Sequence, residues 1–260
     1  MIDTYNLRQG DTPLLISVPH DGSHLPTNMR ERMSSTGLTL PDTDWHVAEL
    51  YDFARDLGAS MLVANYSRYV VDLNRSAIDE DLYPGQVVTG LCPTKTFSGE
   101  AIYADGTVSD AEKVQRVQAY WQPYHDCIES TLAALRAEHG YALLWDAHSI
   151  PSVVPRLFEG ALPELNIGTN SAKSCAAHIE TAVVDVAMES PYSVAVNGRF
   201  KGGYITRHYG QPASNVHAVQ LEIAQRAYMD EATTVYDVEK ADRLRDTLRG
   251  LLQSGLGAAR

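Results

Sequence analysis

The sequence predicts an α/β protein, a single domain over residues 1–260 with a mixed, mostly parallel sheet and helices on both faces. Short apolar segments bounded by turn-forming residues alternate with longer amphipathic segments, as strands and their crossover helices do. Of the 260 residues, 44% are hydrophobic, which is enough for a sizeable core. No internal repeat or low-complexity linker divides the chain, so one domain is the simplest organisation.

The first elements come from three apolar runs and one amphipathic stretch. Residues 13–19 are apolar between two prolines and predict a strand. Residues 44–57 carry apolar side chains at three- and four-residue steps and predict a helix, which Gly58 is suited to end. The apolar runs at 59–64 and 69–73 predict two further strands.

The middle of the chain predicts a long loop and a long helix. Residues 76–109 are rich in Gly, Pro, Ser and Thr, and such long loops in compact domains are often functional. A helix is expected to begin after Ser109, which can cap it, and to run to about Glu138. Pro123 is expected to kink this helix. A buried strand is expected at 141–145, directly before Asp146-Ala147-His148.

The last third of the chain predicts a helix at 171–187 and a short strand at 193–196. The Gly-rich stretch 197–210 favours a hairpin-like segment. The alternating run 216–223 predicts a strand, and 238–252 predicts a final amphipathic helix.

Composition excludes several classes of protein. The formal net charge is -12, which is unfavourable for a nucleic-acid-binding protein because phosphate contacts need Lys and Arg. The three cysteines, Cys92, Cys127 and Cys175, are far apart and form no CxxC motif, which favours a reducing compartment. No secretory signal or membrane-spanning run is recognisable. We therefore expect a cytoplasmic protein that acts on a small molecule without binding nucleic acid or membranes, and no feature indicates a particular oligomeric state.

Polar groups occur where strands end and helices begin. His20 and His148 follow two predicted strands, Asp44 starts a predicted helix, Arg75 follows a third strand, and Glu222 interrupts an apolar run. Taken singly, each has an ordinary structural explanation as a hydrogen-bonding, capping or ion-pairing residue. Because residues after parallel strands converge at one edge of a sheet, we expect them to meet.

Two imidazoles and one carboxylate are the ligands of a catalytic zinc site with one open position. We therefore predict that His20, Asp44 and His148 bind Zn²⁺, although the same ligands suit other divalent transition metals. Such a metal lowers the pKa of a bound water to about 7. Glu222 is the predicted base that takes the proton from this water, and Arg75 suits a substrate carboxylate.

Two alternatives stay open at this point. Ser23, Ser149 or Cys92 beside a histidine would indicate a nucleophilic enzyme, although the G-x-S-x-G motif is absent. Within the metal hypothesis, His46 or Glu49 could replace Asp44, since H-x-x-E places two ligand side chains on one helix face.

Several segments, in order, resemble the N-formylglutamate deformylases (N-formylglutamate amidohydrolases) of histidine degradation. The resemblance extends from near the N-terminus to about residue 230. The segments that carry it are LLISVPHDGSHLP (14–26), PDTDWHVAELYDFARDLGAS (41–60), YSRYVVDLNRSA (66–77), LLWDAHSIPSVVPRLFEG (143–160), NIGTNSA (166–172) and NGRFKGGYITRHYGQP (197–212).

That family is similar to the wider zinc carboxypeptidase and aspartoacylase group, whose fold is phosphorylase/hydrolase-like. The resemblance implies that His20 is the first metal ligand and His148 the last. It implies that Asn74 and Arg75 hold the substrate carboxylate and that Glu222 is the base.

The chain departs from the group at one position, because its H-x-x-E motif would require a Glu where Ser23 stands. Asp44 of the TDWH segment is the carboxylate we expect in its place. N-formylglutamate has two carboxylates, so a second cation is expected. Arg207 is a candidate, with Arg199 and Lys201 close to it in sequence. His208 could donate a hydrogen bond to the substrate or to the developing oxyanion.

The expected activity is metal-dependent hydrolysis of N-formyl-L-glutamate to formate and L-glutamate, the last step of a histidine degradation route. One alternative is a deacylase of another N-acyl acidic amino acid. Another is a non-catalytic protein that binds such compounds.

Overall fold

A seven-stranded mixed sheet organises the protein, whose structure, a computed structural model, describes residues 2–80 and 89–260. The strands are β1 (Tyr5–Arg8), β2 (Leu14–Val18), β3 (Ser60–Ala64), β4 (Ala142–Ile150), β5 (Leu165–Gly168), β6 (Val194–Val196) and β7 (Val216–Ala224). Their spatial order is β1-β3-β2-β4-β7-β5-β6. The pairs β3-β2, β2-β4, β4-β7 and β5-β6 are parallel, while β1-β3 and β7-β5 are antiparallel.

Helices connect these strands. The α-helices are α1 (Thr27–Arg30), α2 (Ser35–Leu38), α3 (Val47–Leu50), α4 (Asp110–Arg116), α5 (Gln122–His139), α6 (Ala177–Glu189), α7 (Tyr204–Tyr209) and α8 (Val238–Ala258). Short 3-10 helices lie at Asp52–Leu57, Pro212–Ser214 and Gln225–Ala227, and a two-stranded ribbon joins β8 (Met229–Asp230) to β9 (Val235–Tyr236). Within the described ranges, no helix combines the length and the apolar composition that crossing a membrane requires.

Alternating side chains of the central strands separate two layers of the core. In β4, Leu143, Trp145 and Ala147 pack with α6 and α8, whereas Ala142 and Leu144 pack with α5 on the other face. The α5 face of β4 becomes polar toward its carboxyl end. There β4 presents the buried polar side chains of Asp146 and His148. The neighbouring strand β7 presents Gln220 and Glu222 beside them.

The predicted fold class is confirmed, as a single-domain α/β structure with helices on both faces of a mostly parallel sheet. The strands predicted at 13–19, 59–64, 193–196 and 216–223 are present within a residue or two. The 238–252 helix exists as α8 and continues six residues further, to Ala258. The extent of the domain over 1–260 and the likeness to zinc carboxypeptidases stay predictions.

The strand predicted at 69–73 is wrong. Its backbone forms turns, with the Val70 amide donating to the Ser67 carbonyl at 2.8 Å. Arg116 Nη1 donates to the carbonyls of Tyr69 (3.2 Å) and Val70 (3.0 Å). A turn and a distant guanidinium satisfy the polar groups that a neighbouring strand would otherwise satisfy.

Two predicted helices are less regular than expected. The 44–57 helix is reduced to α3 and a 3-10 helix, with Gly58 ending it in the left-handed conformation at φ 67°. Ser109 caps α4 as predicted, by accepting from the Glu112 amide at 3.2 Å. The kink at Pro123 stays a prediction, and a π-helical turn over Val117–Trp121 lies directly before α5, whose first turn contains Pro123. Proline has no N–H to donate to the preceding helical turn, and a π turn before it accommodates the missing hydrogen bond.

The helix predicted at 171–187 begins only at Ala177, after a turn. The hairpin predicted at 197–210 is wrong, because α7 forms there. The side chain of Asn74 accepts from the Ile205 amide at 2.8 Å, so a residue far away in sequence stabilises the start of α7. The 141–145 strand continues to Ile150, which places Asp146 and His148 inside β4 and not after it.

The long loop predicted at 76–109 contains no helix or strand in its described parts, 76–80 and 89–109. Isolated bridges fix it instead, Met33 with Tyr103 and Lys95 with Ala101. The rest of the predicted loop, residues 81–88, lies outside the described residues.

Candidate metal centre and active site

The structure brings His20, Asp44 and His148 together in a buried group. Their ligand atoms lie within 4.8 Å of one another. His20 Nδ1 and His148 Nδ1 are 3.2 Å apart, and His148 Nδ1 is 3.0 Å from Asp44 Oδ2. Two nitrogens and one carboxylate thus face a common point, an arrangement that fits a divalent metal ion.

Adjacent parallel strands explain this convergence. β2 and β4 are neighbours, so His20, just after β2, lies beside His148 near the carboxyl end of β4. The Asp44 amide donates to the His20 carbonyl at 3.1 Å, which attaches the TDWH segment to the end of β2. The Ser149 amide donates to Asp44 Oδ2 at 3.1 Å and fixes the carboxylate against β4.

A second carboxylate lies behind each imidazole. His20 Nε2 donates to Asp72 Oδ1 at 2.8 Å, and His148 Nε2 is 3.1 Å from Asp146 Oδ1. Thr206 Oγ1 donates to the other oxygen of Asp146 at 3.1 Å. A carboxylate on the far ring nitrogen is the usual support of a metal-binding histidine, since it fixes the ring and leaves the near nitrogen for the metal.

The carboxylates of this group produce a negative local potential. Burial opposes protonation of His148, but Asp146 and Asp44 outweigh it and raise its pKa well above the usual value. Burial also opposes ionisation of Asp44, but Arg68 and the two imidazoles lower its pKa far below the usual range. Arg68 Nη2 donates to Asp44 Oδ1 at 3.1 Å and also contacts His20 Nδ1. The same potential favours a divalent cation in place of a proton.

Glu222 lies beside His148, its register partner on the adjacent strand β7. It is 7% exposed, and burial, with a smaller contribution from Asp44, raises the pKa of its carboxyl group to about 8. A buried carboxyl group with a pKa near neutrality, next to a histidine that could hold a metal ion, suits proton transfer.

A cavity opens beside this group, and His20 and His148 are part of its lining. Its lining includes three guanidinium groups, those of Arg68, Arg75 and Arg199. The other residues that line it are His20, Asp72, Asn74, Thr89, Phe97, His148, Ser149, Ile150, Leu157, Phe200, Gly203, Gln220 and Glu222. Three arginines in the lining of one cavity are a local feature that would attract an anionic ligand, although the protein has a net charge of -12.

Asn74 lines the cavity and also connects two parts of the site. Its Nδ2 lies 2.9 Å from His148 Nε2, while its Oδ1 accepts from the Ile205 amide at the start of α7. A Cβ at Gly203 would lie 2.4 Å from Asn74 Nδ2. Only glycine therefore allows α7 to begin so close to this side chain.

Arg207 and His208 are not among the described residues that line the cavity. Arg207 Nε donates to the Gly202 carbonyl at 2.7 Å, and His208 is exposed with its ring stacked on Tyr204. Arg199, from the same segment of the chain, does line the cavity.

The alternative ligands lie elsewhere. His46 Nε2 donates to the Thr234 carbonyl at 2.9 Å, and its ring packs against Tyr236. The Glu49 side chain is 56% exposed. Of these three candidates, the structure brings only Asp44 to the two imidazoles.

The candidate nucleophiles are poorly placed for catalysis. Ser149 Oγ accepts from Tyr228 (2.8 Å) and Gln225 (3.3 Å), and Ser23 is exposed. Burial raises the pKa of Cys92 to about 11, so it is a neutral thiol at physiological pH. A metal-dependent reaction fits the site better than a serine or cysteine nucleophile.

Sequence reasoning assigned no role to Arg68, Asp72, Asp146 or Gln220. The sequence did contain a signal for the two aspartates, because each lies in or next to an apolar run. A charged side chain in such a position is costly to bury without a partner, which indicates that a partner is present. Gln220, whose Oε1 accepts from the Gly203 amide at 2.7 Å, is an uncharged polar residue in the apolar run of β7 and had a weaker signal. Arg68 had none, because nothing local indicates that its side chain turns inward.

Known proteins resemble this chain along its length. The sequence profile of the N-formylglutamate amidohydrolase family matches residues 12–229. An N-formylglutamate deformylase of Pseudomonas aeruginosa is 50% identical, over 100% of this chain and 98% of the relative. An N-formylglutamate deformylase of Pseudomonas putida is 47% identical, over 96% of this chain and 94% of the relative.

Two crystal structures share the fold. An N-formylglutamate amidohydrolase from Ralstonia eutropha superposes with a TM-score of 0.85 at 23% identity, covering 99% of both chains. A gene product of Agrobacterium tumefaciens superposes with a TM-score of 0.69 at 20% identity, covering 96% of this chain and 95% of that one. The match of the profile and the two close relatives go beyond the shared fold, and this chain therefore belongs to the N-formylglutamate amidohydrolase family.

Proposed function

We propose that this protein hydrolyses N-formyl-L-glutamate to formate and L-glutamate and that the group formed by His20, Asp44 and His148 holds the zinc ion this reaction needs. The observation that carries the proposal is the convergence of these three side chains beside a cavity that His20, His148 and three arginines help to line. Two relatives named N-formylglutamate deformylase, 50% and 47% identical, support the choice of substrate. Another divalent transition metal would suit the same ligands.

A divalent ion in this group would supply a Lewis acid and an activated water. The chain supplies the proton transfer. Glu222 accepts a proton from the attacking water and returns it to the glutamate nitrogen as the formyl C–N bond breaks. Its buried position beside His148 keeps the carboxyl group close to the reacting atoms and gives it a pKa of about 8.

The substrate carboxylates require cations in the cavity. Arg75 and Asn74 are the pair assigned to one carboxylate, and both line the cavity. The position of Arg199 in the lining of the cavity supports Arg199 as the cation that binds the other carboxylate. Arg207 stays the prediction made from the sequence. His208 likewise stays a predicted donor to substrate.

Three matched variants assign the carboxylate contacts. Arg75→Gln is expected to raise KM for N-formylglutamate at least tenfold, since a hydrogen-bonded charge pair is lost. Arg199→Gln and Arg207→Gln, compared side by side, identify the second cation by which of them raises KM. If Arg75→Gln leaves KM unchanged, the assigned substrate orientation is wrong.

The enzyme test uses the purified full chain. Formate release from N-formyl-L-glutamate is measured with and without added Zn²⁺, and bound metal is measured by mass spectrometry. We expect release that a chelator abolishes and Zn²⁺ restores. Faster release of acetate from N-acetylglutamate would indicate the alternative deacylase, and binding of N-formylglutamate without any release would indicate a non-catalytic binding protein.

The proposed setting is the last step of a histidine degradation route in the cytoplasm. Cys92, Cys127 and Cys175 are all unpaired and buried in the structure, which fits a reducing compartment.

A further inference from the structure

The segment Leu73–Arg75 carries two residues assigned to substrate, yet it belongs to no strand or helix. Its position must therefore come from contacts with other parts of the chain. Two of its three carbonyls, those on either side of Asn74, accept hydrogen bonds from one stretch of the helix over 110–139. Trp121 Nε1 donates to the Arg75 carbonyl at 2.9 Å, and His125 Nε2 donates to the Leu73 carbonyl at 2.9 Å.

The two donors form one rigid unit. The rings of Trp121 and His125 stack with centroids 3.7 Å apart and an interplanar angle of 22°. Both side chains are buried, with 7% and 2% exposure. Stacking restricts both rings, so the two N–H groups are held at a fixed separation.

The protonation of His125 is also fixed. Its Nε2 must carry the proton, because the Leu73 carbonyl can only accept, and Nδ1 then accepts from the Tyr209 hydroxyl at 2.9 Å. Burial lowers the pKa of His125 to about 3, so the ring is neutral near pH 7. Tyr209 ends α7, and His125 therefore joins the substrate segment to α7.

The backbone irregularity lies where these contacts need it. The π-helical turn covers Val117–Trp121 and ends at the donor to Arg75. A π turn inserts one residue relative to regular helix and changes the direction of the side chains around it. Here the side chains of Trp121 and His125 both point toward Leu73–Arg75.

We propose that Trp121 and His125 are positioning residues for substrate recognition, which fix the carbonyls of Leu73 and Arg75 and thereby aim the Arg75 guanidinium at a substrate carboxylate. The inference rests on the proposed function in one respect only, namely that Arg75 binds a carboxylate of the ligand. Neither aromatic residue is among the described residues that line the cavity, so the effect acts through the segment they hold.

Trp121→Phe tests the proposal, because it keeps an aromatic ring and removes the donor. We expect KM for N-formylglutamate to rise about fivefold or more, while kcat stays within about twofold, since uniform binding is lost and chemistry is not. His125→Gln places an amide donor where Nε2 lies and is expected to stay close to the parent. His125→Leu removes the donor and is expected to raise KM like Trp121→Phe.

Tyr124→Phe is the matched control in the same helix. The Tyr124 hydroxyl contacts Ser17 Oγ (3.0 Å) and the Leu62 carbonyl (3.3 Å), on the sheet and away from the substrate segment. Its loss is expected to lower stability and leave KM unchanged. If Trp121→Phe behaves like Tyr124→Phe, the aromatic pair has only a structural role and the proposal is overturned.

A double variant tests whether the effect acts through Arg75. In the Arg75→Gln background, Trp121→Phe is expected to cause no further rise in KM. A rise by the same factor in both backgrounds would contradict the proposal.

Calorimetric binding of L-glutamate separates this inference from the proposed activity, because it requires no turnover. If the parent protein releases no formate but binds L-glutamate, the proposed activity is overturned. The variants are then compared by their Kd for L-glutamate in place of KM. If the parent neither turns over nor binds glutamate, both proposals are overturned.

Discussion

The Nδ1 atoms of His20 and His148 lie 3.2 Å apart, although 128 positions separate the two residues along the chain. Both residues lie toward the carboxyl ends of neighbouring parallel strands, where open α/β sheets commonly bind ligands. The pair is buried, and Asp44 lies within hydrogen-bond distance of His148. Two imidazoles and a carboxylate in such proximity are stable only if a proton or a cation separates them.

Replacing one imidazole should remove the metal. His148→Gln is expected to reduce bound zinc to less than about one-tenth of the parent value and formate release by about a thousandfold, because two ligands hold the ion poorly. Metal content and kcat are measured on the same preparation. His46→Gln is the control, since His46 Nε2 contacts Thr234 and lies outside the group. Loss of metal in His46→Gln but not in His148→Gln would contradict the assignment of ligands.

Replacing Glu222, the proposed base, should separate catalysis from metal binding. Glu222→Gln is expected to lower kcat by about 10²–10⁴, the usual range for a general acid–base group, with zinc still bound. The surface variant Glu239→Gln makes the same chemical change in the first turn of α8, where it should have no effect. Full activity in Glu222→Gln would assign the proton transfer to another group.

Gly203 should not tolerate a methyl group. Gly203→Ala places a Cβ 2.4 Å from Asn74 Nδ2, so either Asn74 or the start of α7 must move. We expect a loss of about 1–3 kcal/mol of folding free energy, as in other overpacked sites, together with a lower kcat/KM. Gly257→Ala is the control in α8, where no atom other than those of its chain neighbours and its own helix backbone lies within 4 Å of the added carbon. Thermal unfolding and formate release check both variants, and a fully active, stable Gly203→Ala would exclude this close approach.

His125 should make the protein less stable in acid. Burial lowers its folded-state pKa to about 3, whereas the unfolded chain has the usual value of about 6.5. Below pH 6.5 the unfolded state therefore binds a proton that the native state refuses, and stability falls as pH decreases toward 3. The slope from this one group approaches about 1.4 kcal/mol per pH unit.

The measurement is urea unfolding between pH 7.5 and about 4 for the parent and His125→Gln. Because Gln does not titrate, the parent should lose more stability than the variant as pH falls. Contributions from the metal ligands are common to both proteins and cancel in the difference. Parallel pH profiles would mean that His125 takes up a proton in the native state.

Local patterns predicted several of the regular elements. The apolar run before Pro19 and the alternation in 216–223 predicted β2 and β7, because burial of a strand depends mainly on its own side chains. The Ser109 cap and the left-handed Gly58 were predictable for the same reason, since each depends on neighbours within a few residues. β1 and β5 were missed, because their short mixed sequences pair only in the context of β3 and β7.

Two of the errors lie at the site itself. Segment 69–73 is apolar enough for a strand, but Arg116 binds its carbonyls and leaves Asp72 free to support His20. The glycines of 197–210 indicate a turn, but Asn74 provides the cap that allows α7 to form there. In both cases a polar partner from far along the chain overrides the local preference.

The sequence by itself determined the α/β class, the alternation of strands and helices, and the residue types that could bind a metal and transfer a proton. It could do so because propensity, burial and chemistry are properties of short stretches. The tertiary structure decided that Asp44 and not His46 meets the imidazoles, that Asp72 and Asp146 support them, and that Arg199 lines the cavity. These relationships depend on which strands are neighbours and on where side chains from distant segments find buried partners, and local sequence does not specify either.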